Sequence, residues 1–207
     1  MQYAPTKKIF RCTGVLHTPF YQYAPTKSAH LKFEHLHIFL YLRMYFIRKA
    51  TIVDLEIIRE IAEQTWWNAY SPILEDEQIR FMLGEIYSVE KITSQLINNT
   101  QTYLLLIEDE KPVAFAAYSP REEDPEIYKL HKLYCLPSTQ GKGYGKILIN
   151  EVINKTIEAG KQVLDLNVNR YNKAKNFYEK MGFNVAYEED IPIGKYWMND
   201  YVMRIEL

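Results

Sequence analysis

From residue 45 onward, apolar and polar residues alternate with the periods expected of successive helices and strands. Asp54 is a suitable N-cap, and the apolar residues after it keep a period near 3.6 until Pro72, which predicts a first long helix. Asp109-Glu110-Lys111 separates two strand-like runs and predicts a β-hairpin. The pattern predicts strands at 45–49, 102–108, 112–118, 128–136, 161–168, 183–187 and 201–206, and helices beginning near 54, 75, 88, 147 and 172.

The first 44 residues differ from the rest of the chain in composition and pattern. Gln-Tyr-Ala-Pro-Thr-Lys occurs at 2–7 and again at 22–27, but two copies are too few to build a repeat fold. This segment contains three prolines and little periodicity, so we expect a poorly ordered extension. Met44 directly precedes the first predicted strand and is equally well placed as the start of translation. The sequence therefore predicts one folded domain over residues 45–207.

Composition and charge argue against several classes of protein. Hydrophobic residues make up 47% of the chain and charged residues 25%, as in a globular protein, and the formal net charge of −1 argues against a general nucleic-acid binder. No apolar run reaches the roughly 18 residues that a membrane span requires. Cys12 and Cys135 form neither a metal-binding spacing nor a disulfide framework, which favours a reducing, cytoplasmic location. The histidines between 30 and 37 lack a second carboxylate or a cysteine, so no metal is expected.

The glycine-rich run from Gln140 to Lys146 carries the strongest chemical signal in the chain. It stands between a predicted strand and a predicted helix, so its backbone N–H groups and the positive end of the helix dipole favour a phosphate-bearing ligand. Lys142 and Lys146 add positive charge, and the glycines let the backbone approach a ligand closely. The spacing fits neither the P-loop nor the Rossmann motif. On this run alone, a glycine-rich helix start without a ligand is the alternative.

Read as Gln-x-x-Gly-x-Gly, the run resembles the pyrophosphate-binding motif of the GNAT family of acetyl-CoA-dependent N-acetyltransferases. Two further segments resemble that family in the right order, namely the strand end Leu133–Cys135 and the segment Asn172–Phe183, which is similar to Asn…Ala-x-x-x-Tyr-x-x-x-Gly-Phe. The resemblance implies an α/β (mixed α+β) fold with a central mixed, mostly antiparallel sheet and helices on both faces. It also implies that the parallel strands at 128–136 and 161–168 splay apart to receive the pantetheine arm.

The resemblance implies roles for individual residues of this chain. Tyr178 corresponds to the general acid of the family, which protonates the leaving thiolate; a buried core tyrosine is the alternative reading. Asn172 corresponds to the asparagine that contacts the pantetheine arm, and Asn169 is a second candidate because Asn172 lies one residue closer to the tyrosine than in many relatives. The implied residues for binding acetyl-CoA are Leu133, Tyr134, Cys135, Gln140, Gly141, Lys142, Gly143, Tyr144, Gly145, Lys146 and Asn172.

The general base is not determined by the sequence. His131 lies on the predicted cofactor strand, and strict alternation places it on the same face as Leu133 and Cys135. It is therefore a candidate base, with a structural histidine as the alternative. Glu126 and Glu108 are further candidates.

Aromatic and acidic residues suggest where the acceptor binds. Trp66 and Tyr70 lie four residues apart on the first helix and are candidate acceptor-binding residues. The acids at 188–190 and Asp200 either receive a cationic amine or belong to a solvated loop. The ending Asp-Tyr-x-Met at 200–203 resembles a bacterial GNAT subgroup that includes polyamine acetyltransferases of the PaiA type. We therefore predict acetyl transfer from acetyl-CoA to a primary amine of a small, polyamine-like molecule, by direct attack in a ternary complex.

Two other functions remain open at this point. A ribosomal-protein or peptide N-terminal acetyltransferase would share all three motifs but would need an open groove in place of a closed aromatic pocket. A non-catalytic sensor that binds acyl-CoA would be favoured by loss of the phosphate loop or the tyrosine, and both are present. The expected partner is a small-molecule amine, with neither nucleic acid nor membrane, and a homodimer is an open alternative to a monomer.

Overall fold

The computed structural model of the protein describes residues 45–207, so the predictions for residues 1–44 lie outside the described part of the chain. The strands are β1 (Tyr45–Lys49), β2 (Thr102–Glu108), β3 (Lys111–Pro120), β4 (Ile127–Cys135), β5 (Val163–Asn169), β6 (Asn184–Ile193) and β7 (Tyr196–Glu206). The helices are α1 (Leu55–Tyr70), α2 (Asp76–Ile86), α3 (Val89–Ile97), α4 (Tyr144–Glu158) and α5 (Ala174–Lys180). None of these helices is long and apolar enough to cross a bilayer.

The strands form one seven-stranded sheet in the order β1-β2-β3-β4-β5-β7-β6. Neighbouring strands are antiparallel except β4 and β5, which run parallel. That parallel pair extends only from Ile127 to Leu130, opposite Val163 to Leu166, although both strands continue further. The predicted mixed sheet with a splayed parallel pair is therefore confirmed.

Two hydrophobic clusters cover the two faces of the sheet. Helices α1, α2 and α3 pack on one face around residues such as Ile58 and Phe115, which are fully buried. Helix α4 packs on the other face, where Leu148 and Leu166 are buried. Each face of the sheet therefore has its own helical layer.

The start of α1 is fixed by an ion pair next to the first strand. Asp54 occupies the N-cap position, as predicted, but its carboxylate does not accept a hydrogen bond from the helix. It receives two hydrogen bonds from the guanidinium group of Arg48 (2.6 and 2.7 Å) and one from the backbone N–H of Thr51 (2.8 Å). The bidentate pairing lowers the pKa of the Asp54 carboxyl and joins β1 to α1.

The last two strands form a longer hairpin than the sequence predicted. Strands β6 and β7 pair from Asn184 opposite Arg204 up to Ile193 opposite Tyr196. Gly194 makes the tight turn, with φ of +57°, a left-handed conformation that favours glycine. The acids at 188–190 therefore lie on a strand, so the prediction of a loop was wrong, although Glu188 and Asp190 are solvent-exposed as that alternative expected.

Candidate active site

A groove of about 200 Å³ opens where β4 and β5 diverge. Its walls come from β4, β5, the end of α1 and the start of α5. The predicted site residues that line it are Tyr70, His131, Leu133, Tyr134, Cys135, Asn172 and Tyr178. The fold thus brings residues from four separate segments to one groove.

The glycine-rich turn precedes α4 and leaves its backbone accessible. Gly141 and Gly143 have φ of +79° and +80°, and no atom lies within 4 Å of the position that a Cβ would take at either residue. The Gly143 carbonyl accepts a hydrogen bond from the Ile147 N–H (3.1 Å), so the N–H groups of residues 144–146, in the first turn of α4, are among those that a helix leaves unsatisfied. At Gly145 a Cβ would lie 3.2 Å from the Phe177 ring, which keeps α4 close to α5. The turn can therefore present N–H groups to an anionic ligand.

Lys142 is directed to a carboxylate of the sheet. Its Nζ donates hydrogen bonds to both oxygens of Glu108 (2.9 and 2.7 Å), and the Tyr144 hydroxyl donates to the same carboxylate (2.6 Å). These contacts tie the turn to the end of β2, so Lys142 and Tyr144 stabilise the turn and Glu108 is a member of this cluster. Gln140, before the helix, and Lys146, in its first turn, are both exposed.

Strand β4 contains a bulge that changes which residues share a face. Two consecutive residues of β3 pair with Lys132 and Leu130, so His131 is an extra residue in the ladder. Leu133 and Cys135 pack with Leu130 in the cluster on the α4 side. His131 lies across from them and lines the cleft on the side of α1. The predicted common face of His131, Leu133 and Cys135 was wrong, because the bulge shifts the alternation by one residue.

His131 is held as a neutral imidazole. Its Nε2 is 2.8 Å from the hydroxyl oxygen of Ser119, with the donor set by the tautomer. Burial, together with the positive charges of Lys132, Lys129 and Arg121, lowers its pKa to about 3. The ring therefore has little tendency to hold a proton at neutral pH.

Tyr178 lies on α5 and lines the groove. Its ring packs against Phe177 and Phe183, with centroid distances of 5.3 and 6.1 Å. Burial and the neighbouring Tyr134 and Cys135 raise the pKa of its hydroxyl well above the usual value, so the proton stays on the oxygen. Burial likewise raises the pKa of the Cys135 thiol to about 11, which makes a thiolate nucleophile unfavourable at neutral pH.

The two candidate asparagines have different positions. Asn172 lines the groove, and its Oδ1 accepts a hydrogen bond from the Ala174 N–H (2.9 Å) at the start of α5. Asn169 is buried at the end of β5, where its Oδ1 accepts from the Tyr171 N–H (3.0 Å). The amide group of Asn172 is thus the one at the groove wall.

A larger cleft of about 560 Å³ adjoins the groove on the side of α1 to α3. Its aromatic wall includes Trp66, whose ring lies 4.6 Å from Tyr70 and whose Nε1 donates to the Tyr87 hydroxyl (3.4 Å). The β6–β7 turn lines the opposite side, from Ile191 to Gly194. The residues shared by the groove and the cleft are Tyr70, His131, Lys132, Tyr134 and Asn167. The two cavities therefore meet at the splayed strands.

Three polar residues of the cleft were missed or only partly anticipated from the sequence. Lys132 is 6% exposed, donates to Gln101 (2.6 Å), and has a pKa lowered to about 7 by burial. Asp200 is also 6% exposed, and burial raises its pKa to about 7. Asn167 lies on β5 and lines both cavities. The sequence could have pointed to Lys132, because it is a charged residue within a largely apolar strand. The burial of Asp200 could not have been predicted in this way, because it follows from the β6–β7 hairpin.

Other acids that the sequence drew attention to are paired outside the cleft. Glu126 is exposed and forms an ion pair with Lys161 (2.5 Å). Glu188 and Asp190 both pair with Arg170, at 3.1 and 2.5 Å. Neither residue lines the groove or the cleft.

A splayed parallel strand pair beside a glycine-rich helix start defines the class of protein. Residues 59–183 match the sequence model of the acetyltransferase (GNAT) family, which is more than half of the chain. The chain belongs to the GNAT family and is an N-acetyltransferase.

Among its relatives, an uncharacterized N-acetyltransferase from Mycobacterium tuberculosis is 28% identical over 157 residues, which are 75% of this chain and 99% of the relative. Spermidine N(1)-acetyltransferase from Thermoplasma acidophilum is 29% identical over 144 residues, covering 67% of this chain and 88% of that protein. The crystal structure of the PaiA N-acetyltransferase from Thermoplasma acidophilum, in complex with coenzyme A, matches with a TM-score of 0.69 at 27% identity. That match covers 79% of this chain and 99% of the other.

Proposed function

We propose that the enzyme transfers the acetyl group of acetyl-CoA to a primary amine of a small, polyamine-like molecule, by direct attack within a ternary complex. The observation that carries this proposal is the junction between the two cavities. The groove between β4 and β5 and the aromatic cleft share Tyr70, Tyr134 and Asn167. Two substrates bound in adjoining cavities would meet there, and correct positioning of two reactants is a large part of the rate acceleration in such reactions.

The residues of the groove fit acetyl-CoA. The open backbone at Gly141 and Gly143 and the N–H groups at the start of α4 suit a pyrophosphate. The gap beyond Leu130, where β4 and β5 no longer pair, leaves strand edges that can bind the amide groups of an extended pantetheine arm. Asn172 at the groove wall would contact the same arm. When bound, acetyl-CoA supplies an activated acyl group on a thiol leaving group.

Tyr178 would act as the general acid. Its hydroxyl keeps its proton because burial raises its pKa, and its residue lines the groove that holds the thioester end. The hydroxyl would donate this proton to the departing sulfur and so prevent accumulation of a thiolate.

The shape of the cleft supports a small acceptor over a peptide. The β6–β7 turn from Ile191 to Gly194 and the rings of Trp66 and Tyr87 form opposite walls of one cleft. Aromatic faces also suit a cationic acceptor. The relative from Thermoplasma acidophilum named as a spermidine N(1)-acetyltransferase supports a polyamine in particular.

A second acceptor class is favoured by one specific observation. Lys129 and Lys132 line the same cleft as Asp200. An acceptor that carries a carboxylate as well as an amine could place its acidic group against these lysines. Amino acids and short peptides therefore belong in the first substrate panel beside polyamines.

The test is a thiol-release assay with acetyl-CoA against polyamines, amino acids and short peptides. We expect turnover on a polyamine, reduced at least tenfold in kcat by Tyr178→Phe with little change in affinity for coenzyme A. Tyr171→Phe is the matched control, because Tyr171 is 76% exposed and lies outside the groove. Binding of acetyl-CoA without turnover on any amine would favour the sensor function, and preference for peptides would favour N-terminal acetylation.

A further inference from the structure

Two buried oxygen atoms at the acceptor cleft have no hydrogen-bond partner. Within the described residues, Asn167 Oδ1 and Asp200 Oδ1 are the buried side-chain polar atoms in this condition. Asp200 is 6% exposed, and both residues line the cleft. A buried carboxylate oxygen without a partner is unfavourable, and such groups in native proteins call for an explanation such as a bound ligand.

The orientation of the Asn167 amide follows from its neighbour. Asn167 Nδ2 donates a hydrogen bond to Glu189 Oε2 (2.7 Å), and an ionised carboxylate can only accept. The nitrogen of the amide must therefore point to Glu189, which leaves the Oδ1 atom as the free acceptor. Both unpartnered atoms are consequently hydrogen-bond acceptors, and together they require a ligand that donates.

The strand register places these groups on one face of the sheet. Asp200 on β7 lies opposite Asn169 on β5 and opposite Glu189 on β6. Asn167 is two residues from Asn169 and therefore points to the same face. The two acceptors are thus diagonal neighbours on adjacent strands, and both residues line the same cleft.

We propose that Asp200 and the amide oxygen of Asn167 bind the reacting ammonium group of the acceptor, and that the Asp200 carboxylate then removes one of its protons. This inference depends on the proposed function, since it assigns the amine-binding residues of that same site. An ammonium group has three N–H donors, which can satisfy both oxygens at once. It also neutralises the buried negative charge.

The proton transfer balances without another reactant. One N–H proton of the ammonium passes to Asp200 Oδ1, the electron pair of that bond stays on nitrogen, and a neutral amine faces a neutral carboxylic acid. The proton later leaves Asp200 for water. A second N–H proton is lost as the amide forms and passes through water to the Tyr178 oxygen, where it replaces the proton that Tyr178 donates to the leaving sulfur.

The electrostatic setting of Asp200 suits a proton acceptor. Burial is the largest cause of its pKa of about 7, which lies closer to neutral pH than that of His131 at about 3. A base with a pKa near the working pH is the more effective one. The charged and titratable groups facing Asp200 are Lys129 on β4, Glu189 and Asp190 on β6, Arg170 after β5, Tyr70 on α1 and Tyr134 on β4.

The test compares Asp200→Asn with Asp76→Asn, the same change at an exposed aspartate on α2 that lines neither the groove nor the cleft. Steady-state kcat/KM for the best amine is measured from pH 6 to 10 at saturating acetyl-CoA. We expect Asp200→Asn to lose at least 100-fold in kcat/KM at pH 7, since a general base contributes about 10² to 10⁴. The wild type should reach a plateau above a pKa near 7, whereas Asp200→Asn should rise about tenfold per pH unit toward the pKa of the amine, near 10. Asp76→Asn should stay within about threefold of the wild type, because it removes only an exposed ion pair with Arg80.

A second variant guards against misfolding of the first. Asn167→Leu keeps Asp200 and removes the neutral acceptor, together with the hydrogen bond that Asn167 Nδ2 donates to Glu189. It should raise KM for the amine about tenfold, as expected for loss of a hydrogen bond to a charged group. The dissociation constant of coenzyme A, measured by calorimetry, should stay within about twofold for Asp200→Asn, because Asp200 lines the cleft and not the groove.

The outcomes separate the two proposals. Suppose that the wild type acetylates an amine and that Asp200→Asn keeps its rate and pH profile; this result would overturn the assignment of Asp200 and Asn167 alone. If Asp200→Asn does not fold, unchanged kinetics in Asn167→Leu would do the same. Failure of the wild type to acetylate any amine while it binds acetyl-CoA would overturn the proposed function and this assignment with it.

Discussion

Replacing Asp200 by asparagine should stabilise the protein at neutral pH, and more so as the pH rises. The pKa of this carboxyl is about 7 in the folded protein against 3.8 for the ordinary group, chiefly because burial disfavours its charged form. The folded state therefore binds more protons than the unfolded state between about pH 4 and 7, so the free energy of unfolding falls with pH through this window. A shift of this size corresponds to about 4 kcal/mol of lost stability above pH 7.

The prediction is measured as a difference between two proteins at two pH values. Urea unfolding of the wild type and Asp200→Asn at pH 5 and pH 8, without substrates, gives the free energy of unfolding in each case. The advantage of Asp200→Asn should grow by about 2.5 kcal/mol from pH 5 to pH 8, since most of the titration lies between these values. Constant effects of the substitution cancel in this comparison. Parallel pH dependences of the two proteins would refute the reasoning, because they would mean that Asp200 is not a destabilised buried carboxylate.

Three further predictions concern the glycine-rich turn, the β6–β7 hairpin and the groove. Lys142→Met should weaken coenzyme A binding about three- to tenfold in calorimetry, because a charge-assisted tie to Glu108 is lost; an unchanged dissociation constant would contradict this role of the lysine. Gly194→Ala should lower the free energy of unfolding by about 1–3 kcal/mol, because φ at this position is +57° and the new Cβ would overlap the Phe81 ring. Gly84→Ala is the control: it lies in open space on α2 and should raise the free energy of unfolding by about 0.5–1 kcal/mol. Equal thermal shifts for the two glycine variants would contradict the strain at the turn. Cys135 should react slowly with iodoacetamide at pH 8, since burial raises its pKa to about 11, and bound coenzyme A should slow the reaction further. Labelling is followed by peptide mass spectrometry. Fast labelling that coenzyme A does not alter would argue against the position of Cys135 in the groove.

Local patterns were sufficient to predict most of the elements. The strand at 102–108 has the predicted bounds, and the hairpin after it turns through Asp109 and Glu110, both with positive φ. Ser88 caps α3 by accepting a hydrogen bond from the Lys91 N–H (3.2 Å). These features depend on neighbouring residues, so short-range sequence carries their signal.

Features that depend on distant partners were not readable from the sequence. The bulge at His131 arises from pairing with β3, and nothing in β4 alone marks the extra residue. Lys142 donates hydrogen bonds to Glu108, which is 34 residues away, and no local pattern marks this pairing. The position of Asp200 depends on a hairpin whose strands were predicted too short. In each case the structure depends on pairing with a distant part of the chain, which the local sequence does not specify.

The order of the strands has a consequence for how the chain folds during synthesis. Strand β7 is the last strand of the described chain, yet it lies between β5 and β6 in the sheet. Strands β1 to β5 and the glycine-rich turn can assemble as they leave the ribosome, whereas β6 must wait for β7 before it can pair. The groove between β4 and β5 is thus encoded before residue 184, and the adjoining cleft is completed only when Asp200 and its strand emerge. A nascent chain that stalls before β7 emerges would expose the unpaired edge of β5. Because exposed strand edges promote aggregation, pairing of β7 with β5 is the step that protects the chain.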